Sequence, residues 1–286
     1  MERTSSQIFQ TNLEVLRQGF PALAERLMND QSPCRVVVQG TPSGLPTLEV
    51  LNPSGEAVLY HSRHDPRREA LRWADSPQIR DSSRLVLFGL GLGYHAMALL
   101  ASAPRAYLCI FEPRMDVYRA AMECMDLRPL LTNSHVHLLC GEPTETLYRT
   151  LLAGMGEFLS TGFEFFSLPA AARACPGEFE ETQREIQRVS VALQGMLRHM
   201  ETTGYQTQNH VLRNIPAIYR ALPPSAAKDR MAGRPALIVA AGPSLDKNII
   251  QIPEAVGRSV IFAVDTSLRL LRKQGVEPHF VVTKDP

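Results

Sequence analysis

A Gly-Pro-Ser turn follows one of the most apolar stretches of the chain. In LIVAAGPSLDKNI, residues 237–249, an apolar strand runs into Gly242, Pro243 and Ser244 and then into a predicted helix. Free N–H groups and the helix dipole at such a junction favour an anion, and the Ser244 hydroxyl can add a hydrogen bond. The turn is not a P-loop, which requires G-x-x-x-x-G-K-[ST]. Taken alone, it is also typical of an ordinary turn in which Ser244 caps the helix.

Two later apolar strands also end in polar residues. FAVDTS places Asp265 and Thr266 after one strand, and VVTKDP places Asp285 after the next. Ligands of open α/β sheets bind at the carboxyl ends of the strands. We therefore expect three polar strand ends to converge on one crevice and to form a ligand site with the Gly-Pro-Ser turn.

A second glycine turn lies nearer the amino terminus, in LVLFGLGLGYHAMALL. Gly89, Gly91 and Gly93 form G-x-G-x-G between a strand and a helix, where bare backbone lets a ligand approach. The dinucleotide fingerprint requires a third glycine at position 94, where this chain has Tyr94. NAD is therefore not expected here.

The next strand ends in Glu112, about 20 residues further on. Class I methyltransferases use this combination of a glycine turn and an acidic strand end to bind adenosylmethionine. The carboxylate would then accept hydrogen bonds from a ribose. The alternative is a tight turn beside an empty crevice, with Glu112 as a solvated loop carboxylate. Because no catalytic motif follows, we do not expect adenosylmethionine to be used, and the choice between a ligand crevice and an empty one stays open.

Composition excludes several classes of protein. The 286 residues include 30 Lys and Arg against 29 Asp and Glu, so no basic field recruits nucleic acid. The amino terminus lacks the pattern of a signal peptide, which makes the cytoplasm the expected location. Residues 85–103 are free of charge and long enough for a membrane span, but their glycine spacing favours strand, turn and helix. The five cysteines lack metal or redox spacing and are expected to be reduced core thiols.

The elements that must position these turns divide the chain into four parts. Residues 1–83 predict a helix broken at Pro21 and a small antiparallel cap. Strands and helices alternate over 84–177, which predicts a Rossmann-like parallel sheet. A helical connector with a break near Gly204 occupies 178–232, and a second α/β domain, expected to be truncated, begins at 233. The predicted fold class is α/β.

The chain resembles the Maf family, the motility-associated factors implicated in glycosylating flagellin. The resemblance rests on G-P-S-L-D-x-N, on FAVDTSLRLLRKQGVEPHFVVTKDP and NHVLRNIP, and on VLFGLGLGYH and IFEP, and it covers most of the chain from about residue 35. The central domain of the family is similar to an archaeal hydroxymethylpterin pyrophosphokinase. Its G-P-S turn is similar to the nucleotide-binding turn of bacterial sialyltransferases that use a CMP-sugar.

The resemblance implies an enzyme that transfers a nonulosonic, sialic-acid-like sugar from a CMP-sugar to Ser or Thr of flagellin. It implies that Gly242, Pro243 and Ser244 contact the nucleotide, with Asp265 and Thr266 nearby. Asp285 matches the closing Asp-Pro of the family, where the pterin kinases have acidic residues that could hold magnesium. Two alternatives stay open: a magnesium-dependent pterin pyrophosphokinase, and a non-catalytic module for recognition or oligomerisation. No general base can be named.

Overall fold

The computed structural model describes residues 5–153 and 162–283, and it confirms an α/β fold. The chain separates into two compact units, unit 1 over residues 1–197 and unit 2 over residues 198–286.

Unit 1 begins with two helices, which are followed by a three-stranded antiparallel sheet. Residues 30–65, which contain this sheet, are here called the cap. Helix α1 ends at Gly19 and α2 begins at Pro21, because proline suits the first position of a helix and breaks the interior of one. Strand β2 lies between β1 and β3, in antiparallel register with both. The elements are α1 (Ser5–Gly19), α2 (Pro21–Asn29), β1 (Val36–Gly40), β2 (Pro46–Leu51) and β3 (Ala57–Leu59).

A four-stranded parallel sheet follows the cap, in the order β6-β5-β4-β7. Its strands are β4 (Arg84–Phe88), β5 (Tyr107–Glu112), β6 (Val136–Cys140) and β7 (Glu164–Ser167). The helices of this part are α3 (Pro66–Ala74), α4 (Pro77–Arg80), α5 (Tyr94–Ser102), α6 (Met115–Cys124), α7 (Arg128–Leu131), α8 (Thr144–Ala153) and α9 (Pro169–Ala174). Because β5 and β7 flank β4 on opposite sides, the carboxyl ends of β4 and β7 form the topological switch point, where such sheets bind ligands.

One hydrophobic core joins the cap to this sheet. Its largest fully buried side chains come from the helices, from the cap and from both central strands, and include Leu16, Leu48, Phe88, Phe111 and Tyr118. The cap is therefore part of the same packed body as the sheet.

Helix α10 (Pro176–Arg220) is a single helix of 45 residues. It continues through Gly204, so the predicted break there is wrong. A glycine inside a helix costs only about 1 kcal/mol relative to alanine, and the helical spacing of apolar residues persists on both sides.

Unit 2 contains a three-stranded parallel sheet in the order β10-β9-β8. Its elements are β8 (Ala236–Val239), α11 (Pro243–Asn248), β9 (Val260–Val264), α12 (Asp265–Lys273) and β10 (Phe280–Val282), with short 3₁₀ helices at Pro224–Ala227 and Ile249–Ala255. A small core beneath one face includes Val239, Ile261 and Leu271. The opposite face is open, since Ile238, which lies beside Phe262 in the register, is 76% exposed.

All five cysteines are free thiols. Cys109, Cys140 and Cys175 are buried and Cys124 is half-buried, but Cys34 is exposed, so the prediction of core thiols is wrong for Cys34. It lies between α2 and β1, outside the hydrophobic core.

The uncharged stretch 85–103 folds as β4, the first glycine turn and α5. Among the described residues, no helix combines the length and the hydropathy that a membrane span requires.

Candidate functional sites at the strand ends

The three strands of unit 2 end side by side. Val239 lies opposite Ala263, and Val264 lies opposite Val282, so the residues that follow each strand meet at one edge. Asp265 begins α12 directly after β9, and its Oδ2 accepts a hydrogen bond of 3.0 Å from the hydroxyl of Thr283. The predicted site residues thus gather at the carboxyl edge, with the exception of Asp285, which lies outside the described residues.

The Gly-Pro-Ser turn is exposed at this edge. Gly242, with φ −80°, is the N-cap of α11 and Pro243 is its first residue, so the interpretation of Ser244 as the N-cap is wrong. Proline is favoured at the first helical position, which moves the cap back to Gly242. A Cβ built on Gly242 would have Ser244 Oγ, at 3.9 Å, as its nearest neighbour. The turn therefore has room for a ligand.

Asp265 and Thr266 are both exposed beside this turn. The carboxylate of Asp265 accepts from the backbone N–H of Thr266 at 2.6 Å, which satisfies one free donor of α12. Each carboxylate oxygen has a further acceptor position, so Asp265 can still receive a hydroxyl of a bound ligand.

Ser267 is a residue that sequence reasoning missed. It is fully buried, and its hydroxyl lies 2.9 Å from Val239 O and 2.8 Å from Val264 O. It thereby ties the first turn of α12 to the ends of β8 and β9 and holds the edge together. The signal was present in FAVDTS, because Ser267 shares a helix face with the buried Leu271 four residues later.

The two units differ in charge. Residues 198–286 contain 12 Lys and Arg against seven Asp and Glu, whereas residues 1–197 contain 18 against 22. The overall balance of the chain conceals this asymmetry. The field of unit 2 favours an anionic ligand.

The first glycine turn has a different environment. Glu112 is fully buried, and its Oε2 accepts from the backbone N–H groups of Leu90 at 2.8 Å and Gly91 at 3.3 Å. Its Oε1 accepts from Arg114 N at 3.1 Å. Burial raises the pKa of Glu112 to about 7, against the opposing effect of these three hydrogen bonds. The alternative of a solvated loop carboxylate is therefore wrong.

His61, from the cap, closes the same turn. Its Nε2 accepts from Leu92 N at 2.9 Å, and a Cβ built on Gly91 would lie 2.5 Å from that nitrogen. A Cβ on Gly89 would lie 2.4 Å from the Cβ of Ala171, and one on Gly93 would lie 3.0 Å from Leu127. Side chains of the chain itself thus occupy the space beside all three glycines. Among the described residues, these side chains fill the crevice at the switch point.

His61 stacks on His95, with ring centroids 5.6 Å apart. Both rings are buried, and burial lowers the pKa of His61 to about 3 and that of His95 to about 4. The neutral His61 ring can accept at Nε2, and its proton then resides on Nδ1. Sequence reasoning missed His61, which is 31 residues from Leu92 in the chain.

Comparison with known proteins confirms the resemblance. Residues 56–166 match the family model of the glycosyltransferase Maf N-terminal domain, and residues 209–286 match that of the 6-hydroxymethylpterin diphosphokinase MptE-like domain. An uncharacterized protein of Treponema pallidum (strain Nichols) is 25% identical in an alignment of 258 residues that covers 86% of this chain and 85% of that protein.

The solved structure of the MAf glycosyltransferase from Magnetospirillum magneticum AMB-1 has the same fold, with a TM-score of 0.51 at 17% identity. The alignment covers 97% of this chain and 49% of that one, so this chain spans about half the length of the solved protein.

Proposed function

We propose that this chain, which combines a Maf N-terminal domain with an MptE-like domain, is a protein glycosyltransferase of the Maf type or forms part of one. The donor is a CMP-sugar carrying a nonulosonic, sialic-acid-like residue, and the acceptor is a Ser or Thr hydroxyl of flagellin. The observation that carries the proposal is the convergence of polar strand ends at one edge of unit 2, within the segment that matches the MptE-like model.

The chemistry requires stabilisation of a leaving phosphate. The acceptor hydroxyl attacks the anomeric carbon and loses its proton to solvent, the bond from that carbon to the phosphate oxygen breaks, and CMP departs with the negative charge. Pro243 has no N–H and Leu245 donates its own to Gly242 O, so the backbone N–H and the hydroxyl of Ser244 stabilise that charge in the proposal, and the basic field of unit 2 supports them. Because α11 has only six residues, its dipole alone is a minor part of this effect.

Asp265 and Thr266 bind the ribose or the sugar in this proposal. Asp265 accepts hydrogen bonds from hydroxyl groups, and its contact with Thr283 fixes its orientation. Asp285 completes the nucleotide site in the proposal. The N–H donors of the first glycine turn are already occupied, so neither adenosylmethionine nor NAD is a proposed ligand there.

A second candidate is a magnesium-dependent pyrophosphokinase that acts on a pterin. The match of residues 209–286 to the MptE-like model favours it. Carboxylate oxygens are the ligands that magnesium prefers, and Asp265 together with Asp285 would supply them. Asp285→Asn separates the two functions: it abolishes magnesium-dependent ATP binding in the kinase but weakens CMP binding much less in the glycosyltransferase.

Calorimetric titration of the chain with CMP tests the proposal. We expect Gly242→Val to abolish CMP binding, because the new side chain blocks approach to the backbone donors. Ser244→Ala should weaken it by about 0.5 to 1.5 kcal/mol, the value of one neutral hydrogen bond. Gly204→Val is the matched control, since a Cβ there also meets open space but Gly204 lies inside α10 and not at a strand end. Equal CMP binding by Gly242→Val and wild type would refute the site.

A further inference from the structure

A cavity of about 310 Å³ opens beside the filled glycine turn, at the carboxyl edge of the unit 1 sheet. Its walls are the loop from β5 to α6, the cap residues 32–35 and 51–53, and the junction of α9 with α10. Sites for small ligands begin at about 300 Å³. His61 and α9 occupy the switch point. This cavity lies next to it, at the same edge of the sheet, and has room for a ligand.

An ion pair braces the cavity. Arg114 Nε donates to Asp116 Oδ1 at 2.9 Å, and Nη1 donates to Leu51 O at 2.7 Å. Asp116 also accepts from the backbone of Arg35 at 2.9 Å and of Val117 at 3.0 Å. The brace thus joins the loop after β5 to both cap segments and holds Arg114 in one orientation.

The brace uses the full accepting capacity of Asp116 but not the donors of Arg114. Burial would raise the pKa of Asp116, but the hydrogen bonds from Arg114 and the backbone lower it below its usual value, so the carboxylate is ionised. Nη2 of Arg114 makes the third bond, to Asp116 Oδ2, and a guanidinium has five N–H groups. Two donors therefore remain for a ligand.

Two further features favour an anion. The guanidinium of Arg35 is exposed and makes no hydrogen bond or ion pair with the described residues. The amino termini of α6 and α10 both line the cavity, at Met115 and close to Cys175. The buried Cys175 thiol is neutral, because burial raises its pKa to about 12. Asp116 and Glu178 are the negative charges on the wall, and the charge of Asp116 is paired with that of Arg114.

We propose that this cavity binds a small molecule through a phosphate group, held by Arg35 and by the two unused N–H groups of Arg114. Guanidinium groups match the geometry of phosphate oxygens and form strong charge-assisted hydrogen bonds with them. The site belongs to unit 1 and is separate from the nucleotide site proposed in unit 2.

Titration of the full chain with inorganic pyrophosphate tests this site, with the Gly242→Val background used to remove the unit 2 site. Arg35→Gln weakens binding about tenfold or more, because it removes a charged donor but keeps the backbone N–H that Asp116 accepts. Arg63→Gln is the control: Arg63 is also an exposed cap residue without a partner among the described residues, and it does not line the cavity. It leaves the affinity unchanged.

Glu178→Gln strengthens pyrophosphate binding a few fold, since it removes the opposing charge. A gain of affinity cannot come from misfolding. The site is refuted if pyrophosphate does not bind at millimolar concentration, or if Arg35→Gln binds as tightly as Arg63→Gln. Acetate binding of equal strength would overturn the assignment to phosphate. Loss of CMP binding with retained pyrophosphate binding in Gly242→Val separates this inference from the proposed function.

Discussion

The two glycine turns of this chain follow parallel strands in similar sequence contexts but have opposite surroundings. The turn at Gly89–Gly93 donates its N–H groups to Glu112, His61, Phe111 O and Leu90 O, and its glycines contact neighbouring side chains. The turn at Gly242 is exposed, and a side chain there would meet only Ser244 Oγ, at 3.9 Å.

The same residue type therefore has two uses. In unit 1, glycine is required because other side chains occupy the space and because φ is positive at all three positions. In unit 2, the backbone at Gly242 would accept another residue, so any requirement for glycine there must come from a ligand. A glycine motif acquires functional meaning only when the occupants of the space above it are known.

Replacing Gly89 should give the largest effect. We expect Gly89→Ala to lower the free energy of unfolding of unit 1 by about 3 kcal/mol, because its Cβ lies 2.4 Å from the Cβ of Ala171 and φ is +89°. Gly44→Ala separates crowding from backbone strain, since Gly44 has φ +77° and open space. It should cost only about 1 kcal/mol. Equal losses in urea denaturation would show that Gly89 is not crowded.

Replacing His61, whose ring fills the space beside Gly91, should give the second largest effect. His61→Ala leaves the buried N–H of Leu92 without its acceptor and creates a cavity, so we expect a loss of about 2 kcal/mol. Added imidazole should restore part of the thermal stability by refilling the space. His64→Ala, at an exposed position of the same segment, is the control and should change little. If imidazole does not raise the thermal stability of His61→Ala, the conclusion that the His61 ring fills the space beside Gly91 is contradicted.

Acid should affect unit 1 through the same groups. His61 and His95 stay neutral in the folded state with pKa values of about 3 and 4, whereas the unfolded chain protonates them near 6.5, so stability falls as pH drops below 6.5. Glu112, with its pKa raised to about 7, has the opposite effect: its contribution is present at low pH and is lost as pH rises toward 7.

The net loss between pH 7 and 5.5 should be about 1 kcal/mol, measured by urea denaturation at each pH. Glu112→Gln removes the opposing contribution of Glu112, so the stability of this variant should fall more steeply with acid than that of wild type. A shallower fall in Glu112→Gln would contradict the opposite pH dependences assigned to Glu112 and to the two histidines.

The smallest effect should come from the open turn. Gly242→Ala should change the free energy of unfolding by no more than about 0.5 kcal/mol, because its φ of −80° is ordinary and the nearest atom to the new Cβ, Ser244 Oγ, lies at an ordinary van der Waals distance of 3.9 Å. Thermal denaturation of the variant measures this. A loss as large as that of Gly89→Ala would mean that both turns are structural, and the comparison would fail.

Local pattern predicted most of the fold. Apolar strands that alternate with helices gave the two parallel sheets, and turn residues gave the antiparallel cap, because these signals depend only on neighbours in the chain. The N-cap was predicted wrongly at Ser244, although proline is typical of the first helical position and Pro243 therefore marks Gly242 as the cap.

Long-range packing was not predictable from local pattern. Nothing near Gly91 in the sequence indicates that His61 contacts it, because that contact depends on how the cap packs on the sheet. The burial of Glu112 follows from the same packing. The sequence left two alternatives, an empty crevice and a crevice that holds a ligand. The structure has a third arrangement, in which the protein's own side chains fill the crevice.

The exposed thiol of Cys34 gives the chain a single convenient attachment point. The other cysteines are buried or half-buried, so a maleimide dye should react first at Cys34, without any engineered residue. Cys34 lies between Pro33 and Arg35, two residues that line the cavity of unit 1. A fluorophore there would sense changes in polarity at the cavity mouth, so the native sequence already contains the position for an optical sensor of occupancy.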